Sequence, residues 1–350
     1  MISNTALKKF FWFFLKLAIA VGIIFYLVRD PSEIIAGFRA FDYAWLLPAL
    51  LIYLAHMLIC AWRWHRLTRM LDVRLSGFEA LSLTMQGYFF SMVIPGGAIG
   101  GDVVKMGVLS KRSPKGARLE GSFTILMDRI VGMIALFVLA LLLLIPAIPL
   151  LMKIEIPKIP LNDAMRELLI AGLAGLCLAG LAASCVIFFH RQIEKIPLFG
   201  RLMRWGDQVS HGMVVRLTEA TDTYARSWKE LGVLTLISVF FVHLMTVAAF
   251  GCLTVGLGLE IPVFTLVAAV TIGNIVGLIP IFPSGVGGRD VAIITILAAG
   301  GVAAGDAKTA QLLYTAIVLF FNLLGGVFFV IDPGRREIGE QIRAELEEGK

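Results

Sequence analysis

Residues 94–103 read IPGGAIGGDV and residues 282–291 read FPSGVGGRDV, and the two segments match when they are aligned on their prolines. Both contain the pattern Pro-x-Gly-x-x-Gly-x-Asp-Val, and a carboxamide, Gln86 or Asn274, stands nine residues before each proline. Each segment interrupts a long apolar stretch near its middle. Because Pro stops a helix and Gly lets the chain reverse without a side-chain clash, we predict that each copy is the turn between two half-helices.

The composition of the whole chain is typical of a protein that is embedded in a lipid bilayer. Of the 350 residues, 58% are hydrophobic and only 16% are charged, and the mean hydropathy is +0.87. Soluble domains carry about 25% charged residues. The long apolar stretches predict an all-α polytopic integral membrane protein, because a helix satisfies its own backbone groups inside a bilayer. They argue against a soluble enzyme.

Six apolar stretches are long enough to be transmembrane helices, which need about 20 residues. They lie at about 10–28, 44–61, 123–151, 168–189, 231–257 and 311–331. Lys and Arg are concentrated in connections that the positive-inside rule places in the cytoplasm with both termini, and we expect the cell inner membrane. The two broken stretches, 78–109 and 262–300, then enter and leave on one side as re-entrant hairpins. Eight to ten full spans are the competing interpretation.

The same order of elements occurs twice, as two spans, a hairpin and one span, in residues 10–151 and again in residues 168–331. The first copy starts in the cytoplasm and the second outside, so the order predicts an inverted repeat. Secondary transporters of this plan bind substrate between the repeats, near the middle of the bilayer. Between the copies, residues 190–230 are a cytoplasmic amphipathic segment that either lies on the inner leaflet or packs on the bundle. Residues 332–350 are predicted to be a cytoplasmic tail.

Ionisable side chains surround both turns, where a half-helix begins with free N–H groups and a positive dipole end that suits phosphate. Charges inside membrane segments are expensive and are therefore candidates for function. We expect the cations to pair with a lipid phosphate, and Asp102 and Asp290 to hold those cations or to take up a proton. The predicted substrate-binding residues are Gln86, Pro95, Gly96, Gly97, Gly100, Asp102, Lys105, Asp128, Arg129, Asn274, Pro283, Ser284, Gly285, Gly287, Gly288, Arg289 and Asp290.

Two simpler explanations stay open for these residues. Glycine clusters often only let transmembrane helices pack closely. Asp128 and Arg129, which are adjacent in sequence, could form a salt bridge with each other at the membrane interface. No Walker lysine, His-Glu-x-x-His or Gly-x-Ser-x-Gly motif is present, so we expect no cofactor and no metal site, and transport that is downhill or ion-coupled.

Three segments together resemble the lysylphosphatidylglycerol synthase transmembrane family, also called the flippase-like domain family. They are residues 95–102, 128–132 and 283–290, and the similarity extends in order over nearly the whole chain. The resemblance implies a lipid flippase module. Some relatives carry a soluble synthase domain after the membrane region. This chain ends about 20 residues after its last predicted span, so we expect the membrane domain alone, without lysyl transfer or other enzyme activity. That family usually carries Glu where this chain has Asp290.

These observations predict a transporter that moves an anionic phospholipid or a lipid-linked headgroup between leaflets, through a cavity between the two hairpins. The alternatives are an intramembrane enzyme or an accessory subunit of a lipid-modifying or glycolipid pathway, and an ion-coupled transporter of small solutes. The expected partners are anionic membrane lipids and a separately encoded lipid-synthesis enzyme. The net charge of +6 sits in short loops rather than on a basic stripe, so no nucleic acid is expected.

Overall fold

The computed structural model describes residues 31–94, 98–112, 118–156, 160–195, 213–279 and 287–332. The predicted first span, residues 10–28, and most of the predicted tail lie outside these residues. Within them the helices are α1 (Pro31–Ala40), α2 (Leu46–Met70), α3 (Gly77–Val93), α4 (Ala98–Arg112), α5 (Arg118–Leu151), α6 (Asp163–Phe188), α7 (His190–Ile193), α8 (Met213–Arg226), α9 (Trp228–Gly256, with a π-helical turn at Val239–His243), α10 (Val263–Gly277), α11 (Gly288–Ala299) and α12 (Ala304–Ile331).

Five of the described helices, α2, α5, α6, α9 and α12, are long and apolar enough to cross a membrane. Large apolar side chains on them face outward, such as Leu142, Ile145 and Leu168, each more than 70% exposed. Water would penalise such a surface, whereas lipid tails solvate it. The predicted class, an all-α polytopic membrane protein, is confirmed.

The helices extend further than the apolar runs that identified them. The second span was predicted at 44–61, but α2 continues to Met70 and places Arg63 inside the helix. Arg63 is only 5% exposed. The predicted end of this span at residue 61 was therefore too early, because a charged residue that meets a buried partner can continue a helix past the end of an apolar run.

Two pairs of shorter helices occupy the predicted hairpins. Helices α3 and α4 have 17 and 15 residues, and α10 and α11 have 15 and 12. At 1.5 Å per residue they are about 18–25 Å long, less than the hydrocarbon thickness of about 30 Å. Each pair packs side by side. These lengths agree with re-entrant hairpins, although re-entry itself stays a prediction.

Glycines bring the backbones of these elements into contact. A Cβ atom on Gly101 of α4 would lie 2.1 Å from the carbonyl oxygen of Gly87 in α3. A Cβ atom on Gly325 of α12 would lie 2.0 Å from the carbonyl oxygen of Met85, also in α3. Only glycine allows α3 to be this close to both neighbours.

The two halves of the chain have corresponding neighbours. Hairpin α3–α4 packs against α12, and helix α10 of the second hairpin packs against α5, so each hairpin contacts the last long helix of the other half. The corresponding helices α2 and α9 pack against each other. This exchange of partners is what a two-fold relation between the halves would produce. The inverted repeat and its boundaries remain predictions.

Helix α8, within the predicted amphipathic segment, packs on the bundle. The Tyr224 hydroxyl donates to the carbonyl of Leu67 in α2 at 2.9 Å, and its ring contacts Phe123 of α5. Ala220 and Tyr224 are buried, so they lie on the apolar face of this helix. Residues 213–226 thus contact the bundle, and their position relative to the inner leaflet stays a prediction.

Candidate functional site

Arg129 and Asp102 form a bidentate ion pair between α5 and α4. Arg129 Nε lies 2.7 Å from Asp102 Oδ2, and Nη2 lies 2.9 Å from Oδ1. Two parallel charge-assisted bonds fix the plane of the guanidinium group. The Arg129 side chain is still 39% exposed, whereas that of Asp102 is 13% exposed. Asp102 thus orients a cation that keeps an open side.

Asp128, the neighbour of Arg129, pairs with a different arginine. Arg63 Nε donates to Asp128 Oδ1 at 2.8 Å, and Arg63 Nη1 donates to Ser238 Oγ at 2.8 Å. The guanidinium also approaches Gly132, where a Cβ atom would lie 3.3 Å from it. Arg63 therefore joins α2, α5 and α9. The suggested salt bridge between Asp128 and Arg129 is wrong, because each residue pairs elsewhere.

Lys105 is a buried cation on α4. It is 6% exposed, its Nζ lies 3.3 Å from the centroid of the Trp64 ring, and Nζ is 3.4 Å from Thr84 Oγ1. Among the described residues, no carboxylate forms a salt bridge with it. The ring face and a hydroxyl offer an ammonium group only partial compensation for lost water.

We call Arg63, Asp102, Lys105, Asp128 and Arg129 the first cluster. It contains three cations and two carboxylates, which leaves a net charge of +1 (3 − 2) on these five side chains. Excess charge away from water is costly unless a counter-charge joins it. The first cluster is therefore suited to hold one anion.

Asp290, near the start of α11, is surrounded by donors. Its Oδ1 accepts from Gln311 Nε2 at 2.7 Å and from Thr315 Oγ1 at 3.2 Å, while Oδ2 accepts from the N–H of Gly287 at 3.0 Å. Gly287 has a φ of 100°, a conformation that glycine adopts without strain. Asp290 thus caps its own helix and ties α11 to α12.

Arg289 stands beside Asp290 and completes what we call the second cluster, formed by Arg289, Asp290, Gln311, Tyr314 and Thr315. Arg289 Nη2 lies 3.2 Å from Asp290 Oδ1, and its guanidinium carbon lies 5.3 Å from the centroid of the Tyr314 ring. The side chains of the ion pair are only 8% and 4% exposed. In contrast to the first cluster, this one is electrically balanced and closed.

The two carboxamides that precede the turns contact other helices. Gln86 Nε2 donates to Asp332 Oδ2 at 2.7 Å, next to the end of α12, and to Ser82 Oγ at 3.1 Å. Asn274 Nδ2 lies 3.4 Å from Thr246 Oγ1 of α9. Neither contact includes a residue of the two clusters. Both carboxamides fasten a hairpin to the bundle.

The glycines of the motif mark the helix starts next to the clusters. Gly100 lies in the first turn of α4, where a Cβ atom would approach Ile94 at 3.0 Å, and Gly287 and Gly288 begin α11. The remaining predicted site residues, Pro95, Gly96, Gly97, Pro283, Ser284 and Gly285, lie outside the described residues.

A row of polar side chains on α2 extends from one cluster to the other. Tyr53 packs edge-on against Tyr314 of the second cluster, with ring centroids 6.1 Å apart, and against His56 at 5.2 Å. His56 Nδ1 donates to the carbonyl of Val242 in the π-helical turn at 3.1 Å. Arg63 of the first cluster continues the same face. The spacing Tyr53, His56, Arg63 follows the helical period, and this pattern could have revealed Arg63 from the sequence.

The sequence reasoning also missed two polar residues of the second cluster, Gln311 and Thr315. They stand four residues apart in α12, which places them on one face of this transmembrane helix. Such a pair in a transmembrane segment is the signal that could have identified them. Within the described residues, no group of His, Cys, Asp or Glu is arranged to hold a metal ion.

The sequence was compared with those of known proteins and protein families. Residues 13–326 match the family described as Lysylphosphatidylglycerol synthase TM region. A curated relative, the UPF0104 membrane protein PH1989 from Pyrococcus horikoshii, is 23% identical over 291 residues, which are 82% of this chain and 86% of the relative. No solved structure matches the chain.

Proposed function

Because this chain belongs to the lysylphosphatidylglycerol synthase TM region family, we propose that it is a lipid transporter, which moves an anionic phospholipid or lipid-linked headgroup between leaflets. The family description names the transmembrane region of a synthase whose product is a modified phospholipid, which supports a membrane role related to lipids. A transporter for such lipids needs a polar site within the bilayer and a lipid-facing exterior. The two clusters and the apolar outer surface supply candidates for both.

The observation that carries the proposal is the uncompensated charge of the first cluster. Asp102 and Asp128 are each engaged by an arginine, so Lys105 has no carboxylate partner among the described residues. A phosphodiester is a single anion and would neutralise this surplus. Arg129 offers N–H groups that Asp102 does not occupy, on the exposed side of its guanidinium.

The second cluster would be the corresponding headgroup-binding site in the other half of the chain. Arg289 would replace Arg129 as the hydrogen-bond donor to the lipid phosphate when the hairpins change which side of the membrane reaches the site. Asp290 would orient Arg289 as Asp102 orients Arg129. In the present conformation the Arg289 side chain is 8% exposed and that of Arg129 is 39% exposed. The second cluster is therefore closed, while the first is partly open. Inverted-repeat transporters alternate access to a site between the repeats by moving one repeat against the other, and the two clusters are candidates for the two sides of such a site.

The experiment is leaflet exchange of fluorescent lipids in proteoliposomes, with and without a proton or sodium gradient. Purified protein should accelerate exchange of phosphatidylglycerol more than exchange of phosphatidylcholine, compared with protein-free vesicles. Exchange of neither lipid under any gradient would contradict transport and favour an accessory role in lipid modification. Equal exchange of both lipids would contradict recognition of the anionic headgroup.

A further inference from the structure

An apolar groove runs along the second hairpin on the surface of the bundle. Its volume is about 500 Å³, within the range of small-molecule sites. Side chains of α6 and α11 form much of its walls, and the end of α5 closes it. The lining includes Leu151, Leu169, Leu173, Val291, Ala292 and Ile296.

One charged side chain, Arg166, lines this groove. Arg166 Nε donates to the carbonyl of Ile154 at 3.0 Å, and Nη1 donates to Asp163 Oδ1 at 2.8 Å. The Arg166 side chain is 17% exposed, whereas that of Asp163 is 77% exposed. The guanidinium therefore lies at the groove, with the carboxylate on its outer side. Arg has five N–H donors, and no acceptor in the described part of the chain bonds Nη2.

The groove extends from Arg166 of α6 to Gly287, the first described residue after the turn of the second hairpin. Arg166 is in the first turns of α6, a 26-residue helix about 39 Å long, so it lies at headgroup depth. From Arg166 to Leu173 the groove descends about 10 Å along α6. Its other wall extends over about 14 Å of α11, from Ile296 to Gly287, beside the second cluster.

We infer that this groove binds one phospholipid of the adjacent leaflet, with its phosphate on Arg166 and one acyl chain extending to Gly287. The Nη2 group of Arg166, which no described acceptor bonds, and the apolar walls below it match a molecule with a phosphate head and a hydrocarbon tail. The role of the bound lipid rests on the proposed function, because a lipid in this groove lies next to the closed second cluster and could be passed to it during transport. Its binding chemistry is independent of transport.

A lipid bound specifically in the groove differs from the surrounding bulk lipid in two ways: its binding saturates, and it is selective for the headgroup. Arg166 should favour phosphatidylglycerol, which has a net negative charge, over phosphatidylcholine, in which the choline balances the charge of the phosphate. A surrounding lipid would occupy the groove without either property. The test is therefore a competition at equilibrium.

The experiment is photo-cross-linking of a phosphatidylglycerol that carries a diazirine in its acyl chain, with the protein in lipid nanodiscs. Labelled peptides should come from residues 166–173 and 287–296, and unlabelled phosphatidylglycerol should displace the probe better than phosphatidylcholine. Arg166→Gln should weaken binding about fivefold, as for a partly exposed charged pair, and Arg166→Lys should restore most of it. Equal displacement by both lipids, or labelling unchanged by Arg166→Gln, would overturn the inference.

A steric pair of variants tests the chain-binding wall separately. Ala292→Phe fills the groove, whereas Ala171→Phe adds the same ring at an exposed position of α6 that does not line it. Only Ala292→Phe should reduce labelling, and equal labelling in both folded variants would refute the acyl-chain placement. If Ala292→Phe does not fold, Thr295→Phe replaces it, and Arg166→Gln still decides the headgroup contact.

The two proposals fail in different ways. Selective labelling of the groove by a protein that exchanges no lipid would refute the proposed function and support the binding site. Lipid exchange by a protein whose groove is not labelled would refute the binding site and support the proposed function.

Discussion

Arg63 reaches Asp128 from the last third of α2, and the two side chains are 6% and 16% exposed. Removing one partner of a buried ion pair leaves the other charge without water or counter-charge, which costs about 3–5 kcal/mol. Exposed pairs contribute about 0–1 kcal/mol, because water already solvates both charges. Arg66, on the same helix, forms an exposed pair with Glu230 of α9 for comparison, and these side chains are 41% and 37% exposed.

We predict that Arg63→Gln lowers the free energy of unfolding by about 3 kcal/mol, whereas Arg66→Gln lowers it by less than about 1 kcal/mol. Equilibrium unfolding in mixed micelles of detergent and dodecyl sulfate would measure both. A loss of equal size in the two variants would mean that the Arg63 pair is not buried in the membrane-embedded protein.

For single residues, sequence analysis identified the charged side chains next to the two broken stretches, because charged residues inside an apolar stretch are easily recognised. It could not assign their partners. Asp128 and Arg129 are adjacent in sequence, yet their side chains leave α5 in different directions and reach α2 and α4. Pairing depends on helix rotation, which no local pattern encodes.

At the scale of an element, two of the three glycines of α4, Gly101 and Gly107, have different surroundings, so substituting each of them separates the effect of close packing from the effect of backbone freedom. A Cβ atom added to Gly101 would lie 2.1 Å from the Gly87 carbonyl oxygen of α3, whereas a Cβ atom added to Gly107 would have nothing within 4 Å. Backbone atoms cannot rotate away as a side chain can. An added methyl group at Gly101 must therefore push α3 and α4 apart.

We predict that Gly101→Ala destabilises the protein by about 1–3 kcal/mol, as overpacking usually does. Gly107→Ala should be neutral or stabilise by up to about 1 kcal/mol, because Ala favours a helix over Gly. The same unfolding measurement applies to both. If both substitutions stabilise the protein, the two helices of the first hairpin are not in backbone contact.

The broken stretches were visible in the sequence because Pro and Gly are strong local signals. The exact packing partners were not visible. The contact of α3 with α12 places Gly325 on the carbonyl of Met85, residues that are far apart in the chain. Helix length was also underestimated for α2, since hydropathy measures apolar character and not the hydrogen bonding that continues a helix through Arg63.

For the whole molecule, the positive-inside rule and the short helices of the two hairpins together predict a topology. Each hairpin should begin and end on one side of the membrane, and the two hairpins should enter from opposite sides. The composition predicted the membrane fold correctly because a bilayer demands apolar helices. Orientation follows from loop charge and still needs a chemical test.

We predict that Arg74→Cys and Ser110→Cys, before and near the end of the first hairpin, react with a membrane-impermeant maleimide from the cytoplasmic side only. Glu260→Cys and Ala303→Cys, on either side of the second hairpin, should react from the outer side only. The four native cysteines would first be replaced. Opposite sidedness within either pair would show that the corresponding stretch crosses the membrane instead of returning.

The central claim is that the surplus charge of the first cluster binds the headgroup that the protein moves, and Lys105 tests it most directly. The measurement is the initial rate of phosphatidylglycerol exchange in proteoliposomes containing wild type, Lys105→Gln or Lys229→Gln, the last a substitution of an exposed lysine. We predict a rate about tenfold lower for Lys105→Gln, since a charge-assisted contact contributes about 1.5–3 kcal/mol, and an unchanged rate for Lys229→Gln. Wild-type exchange by folded Lys105→Gln would contradict the account.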